Sequence, residues 1–425
     1  MTSYKRQVFK VLLIVLFSHG TLLAQSTYSS YSIIGIGDNI DPAVPAAMGM
    51  GGLGISNASH WYLNNVNPAL LYNNRIALFS AGLVAETKKI NQQGFETTKA
   101  SSGNINHIAM AFPLVREKWS FSLSINPYSV VNYAFTYDGT PANSSDKTVV
   151  LNEGSGGITA FNIAAGGLLF KGFSVGLKAS YLFSSYEKEF SAATDAGNPS
   201  YIAILLERQS VNGFTLGTGV AYKRKIGENQ LSVGVIYDLQ NDVKGRLFKR
   251  MEQRNFNNIL LFADTLADNI DNKVKLPSTF GAGISFGKPQ KWMVGFDYKS
   301  QDWSDLAFEK VSASPQKFTQ GKKYILGGEY TPDAFDVKSY FKHITFRAGL
   351  SYEEKPYWLS NTQIKEFGIN FGLSLPVSRI SSLDFGLMIG QRGTTDNNLV
   401  REDFIKVYFG ATFNDNRWFQ RPKFN

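Results

Sequence analysis

Three stretches of this chain have spacings that do chemistry in other proteins. Gly49-Met50-Gly51-Gly52-Leu53-Gly54 fits G-x-G-x-x-G, whose glycines let a dinucleotide pyrophosphate reach a helix N-terminus. Gly172-Phe173-Ser174-Val175-Gly176 and Gly283-Ile284-Ser285-Phe286-Gly287 fit G-x-S-x-G, an elbow that lifts a nucleophilic serine between a strand and a helix. The first motif needs a preceding parallel strand, and Pro42 and Pro45 stand there instead. Both serine motifs lie within segments that alternate large and small residues, where a small residue on one strand face is the ordinary reading. Beyond residue 24 the histidines are His60, His107 and His343, none at metal-ligand spacing. His107 reads as one inward polar group among many. The expectation is a protein that is not an enzyme and carries no metal and no cofactor.

The elements that hold these residues start with the N-terminus. Lys5, Arg6 and Lys10 precede the apolar run Val11 to Phe17, and Leu22-Leu23-Ala24 precedes Gln25. This reads as a secretory signal peptide over residues 1–24. The alternative, an anchoring helix, is disfavoured because about 20 apolar residues are needed to span a bilayer. The absence of Cys from the 425 residues excludes disulfides, thiolate metal sites and a lipoprotein anchor. The net charge of +9 is dispersed, partly into turns such as Lys223-Arg224-Lys225, and forms no aromatic-interleaved basic patch for nucleic acid.

From about residue 75 onward, period-two alternation dominates. Trp119, Phe121, Leu123 and Ile125 oppose Ser120, Ser122, Ser124 and Asn126; Ile405, Val407, Phe409, Ala411 and Phe413 oppose Lys406, Tyr408, Gly410 and Thr412. A soluble sandwich alternates too. Strand lengths of roughly ten residues, aromatics such as Trp119, Tyr181, Tyr237, Trp292, Tyr298 and Tyr352 at the ends of apolar faces, and alternating short and long connections favour a transmembrane antiparallel β-barrel. The fold class expected is all-β, with about fourteen strands over residues 75–425, in the outer membrane of a Gram-negative cell. Strands one, four and ten alternate poorly, and segments 135–155, 186–208 and 241–275 read as long polar loops. Lys178, Asp238, Asp297, Lys299, Glu329, Arg347, Asp384 and Lys406 fall on the small face, which places them in the lumen, with Glu329 and Arg347 close enough to pair.

Residues 25–74 do not alternate. They are rich in small apolar residues, and the expectation is a plug packed inside the lumen; a flexible periplasmic tail is the alternative. At this point the chain resembles a family, on the run Met48 to Ile55, on Asn67-Pro68-Ala69 just before the first strand, on Leu276-Pro277 opening a strand, and on Trp292 to Asp297 followed by Trp303. These marks, in this order, are similar to the FadL-like outer-membrane transport proteins in their Bacteroidota form, a fold shared by the PorV shuttle of type IX secretion. The resemblance implies a fourteen-stranded barrel closed by an N-terminal hatch, with hydrophobic compounds leaving sideways through a kink in the third strand. It assigns the hatch and ligand surface to Met48, Met50, Gly51, Gly52, Leu53, Ile55, Asn67, Pro68 and Ala69, and the lateral opening to Asn126 and Pro127. Proline cannot donate to a ladder, so Pro127 marks either a gap in pairing or simply the end of the strand.

Two functions follow. One is passive uptake of fatty-acid-like hydrophobic small molecules by plug displacement and lateral exit, with membrane lipid as the receiving phase. The other is an adaptor subunit of an outer-membrane protein secretion or assembly machine. Segment 241–275 carries Leu247, Phe248, Phe256, Leu260 and Phe262, apolar for an exposed loop, and serves either as a partner surface for other outer-membrane proteins or as a cover over the barrel mouth.

Overall fold

Alternation gives each strand two faces, and the computed structural model shows what each meets. Residues 29–57, 59, 61–139, 148–194, 201–304, 317–336, 338–378 and 380–415 are described. The leader read over residues 1–24 and His60 lie outside them. The strands begin with β1 (Asp38–Asn39), β2 (Ala77–Gln92), β3 (Thr98–Val115), β4 (Trp119–Val130), β5 (Tyr133–Gly139) and β6 (Thr148–Phe170). They continue with β7 (Phe173–Thr194), β8 (Ile202–Ile226), β9 (Asn229–Asp238), β10 (Asn241–Arg254), β11 (Leu260–Leu276), β12 (Ser278–Lys288) and β13 (Trp292–Asp302). The last are β14 (Lys317–Phe318), β15 (Gln320–Tyr330), β16 (Thr345–Leu359), β17 (Thr362–Pro376), β18 (Ser382–Gly393) and β19 (Val400–Asp415).

Fourteen of these close an antiparallel barrel. Beginning at β2, the order is β2, β3, β4, β6, β7, β8, β9, β12, β13, β15, β16, β17, β18, β19, and β19 pairs back onto β2. In β9, Val233 and Tyr237 are exposed while Ser232 and Ile236 are buried. β19 repeats this, with Ile405, Val407 and Phe413 exposed against buried Tyr408 and Thr412. Leu177 and Phe214 are 69% and 66% exposed, a burden of roughly 25 cal/mol per Å² in water that contact with lipid removes. The barrel sits in the outer membrane.

Several strands outrun the expected ten residues. β6, β7 and β8 have 23, 22 and 25 residues, so most of 186–208 and the described part of 135–155 are strand rather than loop. Segment 241–275 is the hairpin β10–β11, with β10 paired on its other side to the outer half of β8. The reason is physical. Past the height of the membrane neither face meets lipid, so Glu187-Lys188-Glu189 or Arg246 to Arg250 need no apolar face, yet the backbone ladder continues; Lys188 Nζ instead donates to Ile33 O at 3.0 Å.

The N-terminal segment has little regular structure. Ser30–Ile33 and Pro68–Asn73 are 3-10 turns, and Pro45–Met48 is one helical turn with Pro at its first position, where its missing N–H costs nothing. Asn67 caps the second turn, its Oδ1 accepting from Ala69 N at 3.0 Å. Most of the segment is buried against the small faces of strands around the wall. Glycine makes this possible at the closest passages: a Cβ on Gly176 would lie 2.3 Å from the Pro68 carbonyl carbon, and one on Gly349 2.5 Å from that of Met50.

Candidate functional site

Two seams of the barrel behave differently. β2 and β19 pair continuously from Ala77↔Asp415 to Gln92↔Val400. β3 and β4 pair from Val115↔Trp119 only as far as Ile108↔Ile125. Beyond that point β3 keeps β2 as its partner up to Thr98, and β4 keeps β6, with a register shift between Pro127 and Ser129. The side of β4 that faced β3 is taken over by β1, through Asn39↔Ser129 and Asp38↔Val130. Ile40 N donates to Tyr128 O at 3.0 Å, and Ser129 Oγ to Ile36 O at 2.8 Å. The chain turns inward with this exchange: Ile125 is exposed, whereas Val130, Val131 and Tyr133 are buried.

The β3 side of the break is a bulge. His107 faces Gly82 and Ile105 faces Leu83, leaving Asn106 as the extra residue, so that Asn106 and His107 both point inward. His107 Nδ1 donates to Asn106 Oδ1 at 2.8 Å, which sets the tautomer, and Nε2 then accepts from Ser80 Oγ at 2.8 Å. Ser80, His107 and Asn106 thus form a chain in the order of a nucleophilic relay. Ser80 Oγ, however, lies 3.3 Å from Thr412 Oγ1, and neither Ser80 nor His107 lines either of the two cavities behind the break. The chain satisfies buried polar groups and holds the bulge.

Behind the break lie two cavities. One, about 80 Å³, is lined on the β3 side by Asn104, Ile105 and Asn106, on the β4 side by Pro127, and further in by Asp38, Asp41, Met48 and Gly51. The other, about 180 Å³, is lined by Asn126 and Tyr128 of β4, by Pro42, Val66 and Pro68, and by Ile236, Leu239, Leu276 and Pro277 among apolar groups, with Lys178, Asp238 and Lys299 beside them.

Ion pairs fix the N-terminal segment to the wall. The Arg392 guanidinium binds Asp38 Oδ2 and, at 2.6 Å, Glu366 Oε2. Asp41 Oδ2 receives Lys323 Nζ at 2.9 Å and Lys299 Nζ at 3.1 Å. Glu402 accepts from Ser30 N at 2.8 Å and pairs with Lys88 Nζ at 3.1 Å. Asp297 Oδ2 accepts from both Gly54 N and Ile55 N at 2.8 Å. Burial alone would raise the Asp38 carboxyl, but Arg392, then Lys355 and Lys88, hold it at about 2. Burial acts on Asp41 in the same sense, and the ammoniums of Lys299 and Lys323 outweigh it, keeping Asp41 well below the ordinary carboxylate range.

The residues singled out from sequence divide accordingly. Met48 and Gly51 line the smaller cavity, Pro68 and Asn126 the larger, and Pro127 borders the break. Met50 and Leu53 pack with Ile325, Ile55 packs with Val66 and Ile236, and Gly52 abuts Asp41, so these four face the wall or the segment itself. Asn67 Nδ2 donates to Ile55 O at 2.7 Å, and Ala69 packs with Leu70 and Ala221. Leu247 and Phe248 are half-buried in β10, and Phe256, Leu260 and Phe262 are exposed. Arg347 pairs with Glu329 at 3.1 Å as expected, and inward Lys178 and Asp238 also pair, at 3.0 Å. Sequence reading missed Asp38, Asp41, Glu86, Lys88, Glu366, Arg392 and Glu402. For those on barrel strands the signal was parity: Glu86 and Lys88 are two apart and share the face opposite exposed Leu83.

A closed fourteen-strand barrel with a small-residue inner face, a packed N-terminal segment and a third strand that leaves its neighbour defines the class, a FadL-like outer-membrane protein. Within it, the chain belongs to the BamG family, whose model matches residues 5–425. Among solved structures it is similar to the CymD monoaromatic hydrocarbon channel, at 16% identity and TM-score 0.58, over 89% of this chain and 99% of that one. It is similar also to the Pseudomonas putida toluene transporter TodX, at 14% and 0.56 over 90% and 100%, and to the Ralstonia pickettii toluene transporter TbuX, at 15% and 0.52 over 88% and 99%. No curated protein matches the chain at a significant level.

Proposed function

We propose that the barrel is a passive route for fatty-acid-like hydrophobic small molecules, with residues 25–74 as its plug and the β3–β4 break as a lateral exit. The observation that carries this reading is that the break and the smaller cavity share Asn106 and Pro127. The larger cavity adds apolar surface beside Asn126 on the same strand. Structural relatives named as hydrocarbon channels and toluene transporters support it. Transfer into lipid supplies the free energy, with no coupled reaction. Displacing the plug requires Asp41 to leave Lys299 and Lys323, so entry is gated by an ion-pair latch. Deleting residues 41–56 should raise entry of N-phenylnaphthylamine and toluene into cells. Entry equal to that of cells with the intact chain would rule the plug out, and intact chain that adds nothing over cells lacking it would rule the route out.

A second reading is favoured by a different observation. The β10–β11 hairpin carries exposed Leu260, Phe262, Leu266 and Ile270 outside the membrane-level barrel. Apolar groups held in water in an ordered hairpin fit a partner-binding subunit of an outer-membrane protein secretion or assembly machine. In mild detergent such a subunit should migrate with stoichiometric partner proteins; a lone monomer would refute this.

A further inference from the structure

The hairpin permits a sharper statement, which rests on the second reading. β10 follows β8 from Lys244↔Asn212 to Arg254↔Ile202. At about 3.3 Å per residue this is on the order of 35 Å of ladder beyond the level where β9 and β12 close the wall. Among the described residues β11 pairs only with β10, and the N–H and C=O groups of its other edge have no ladder partner among them. Leu260, Leu261, Phe262, Leu266 and Ile270 are 47–57% exposed along it. A long apolar edge is ordinarily blunted by lysine, proline or shortness. Residues 260–271 contain no Lys, Arg or Pro and instead carry Asp264, Asp268 and Asp271. Asp268 accepts from its neighbour Asn269 Nδ2 at 2.9 Å, while Asp264 and Asp271 have no side-chain hydrogen bond or ion pair among the described residues.

We propose that β11 is a docking edge that takes up, as an added strand, an extended segment of a partner protein in which apolar residues alternate with lysine or arginine. Backbone groups supply the ladder, apolar residues cover the half-exposed leucines and Phe262, and cations meet the three aspartates. A second copy of this chain fits worse. Pairing β11 with itself over residues 260–271 sets acids against acids or apolar groups, with no cation to meet them.

The test uses the full chain in detergent micelles and a synthetic peptide of about twelve residues alternating Lys with Val and Thr, as strand-addition sites read alternate side chains. Amide exchange over residues 260–271 should slow about tenfold when the peptide adds, as expected for a free edge becoming an inner strand. The double variant Asp264→Lys, Asp268→Lys, which changes only exposed side chains, should abolish the effect, and a peptide with Glu in place of Lys should have none. Equal protection by both peptides, protection by lipopolysaccharide alone, or protection that grows with protein concentration and no peptide would overturn the proposal. In cells, complexes that keep their mass with the double variant would overturn β11 as the docking edge and leave the second reading standing. Intact chain isolated without any partner would remove that reading itself.

Discussion

β19 and β2 are the last and first strands of the barrel, and they pair without a register shift along their whole length. β3 and β4 are joined by a short turn, Arg116-Glu117-Lys118, and separate after Ile108↔Ile125. Loop-closure entropy would predict the reverse, since joining the chain's distant ends costs more than folding a tight hairpin. The break is therefore not a weakness of topology. It is local: β1 competes for the edge of β4 at Ser129 and Val130, and ion pairs from Asp38 and Asp41 to the three strands β13, β15 and β18 hold β1 in place. The same segment that fills the wall also decides where the wall parts.

The largest disturbance to this contrast should come from Arg392→Met. It leaves the carboxylates of Asp38 and Glu366 buried without their guanidinium, and a buried pair broken on one side costs about 3–5 kcal/mol. Thermal unfolding in detergent should fall accordingly, and proteinase K should reach residues 29–57 first while the β2–β19 seam stays protected. Unchanged protease resistance of that segment would show that β1 is held by packing and not by this charge.

Acid should act in the same place and more weakly. The Asp38 carboxyl has its folded value depressed to about 2, so its contribution is complete above the unfolded value near pH 4 and is lost as pH falls through about 2. The expected loss is about 2 kcal/mol between those limits. Asp41, held low by Lys299 and Lys323, loses its pairs further into acid. Unfolding followed at pH 5, 3 and 2 checks this, with Asp38→Asn as the variant that should flatten the first part of the curve. A wild-type profile level down to pH 2 would refute it.

How much of this was legible in the sequence follows from what each signal measures. Alternation reports a face that meets lipid, so the membrane-level strands and the strand count were readable, as were inward Lys178, Asp238, Glu329 and Arg347. It reports nothing where water lies on both faces, which is why β10 and β11 read as a loop. Pro127 could be flagged because proline lacks a donor, but whether pairing stopped there depended on β1, whose two residues Asp38 and Asn39 carry no periodicity. The latch was hidden for a related reason. Its partners lie far apart in the chain, Asp41 on Lys299 and Lys323, and only the closed barrel brings them together.

The smallest effect should come from Pro127→Val, which separates the two local causes of the break. Valine restores a backbone donor and suits a strand, and residue 127 already faces Thr159 of β6, so stability should change by less than about 1 kcal/mol. If the proline alone prevents pairing, the variant should extend the β3–β4 ladder past Ile125, and amides of residues 98–107 should exchange more slowly. The observed contacts argue for a different outcome. Ser129 and Val130 remain engaged with β1, and the Asn106 bulge, tied through His107 to Ser80, still turns β3 away from a regular ladder. Exchange over 98–107 should therefore stay fast in Pro127→Val and slow only when the competitor is removed together with the proline. A closed seam in the single variant would make Asn126-Pro127, and not β1, the element that opens the barrel.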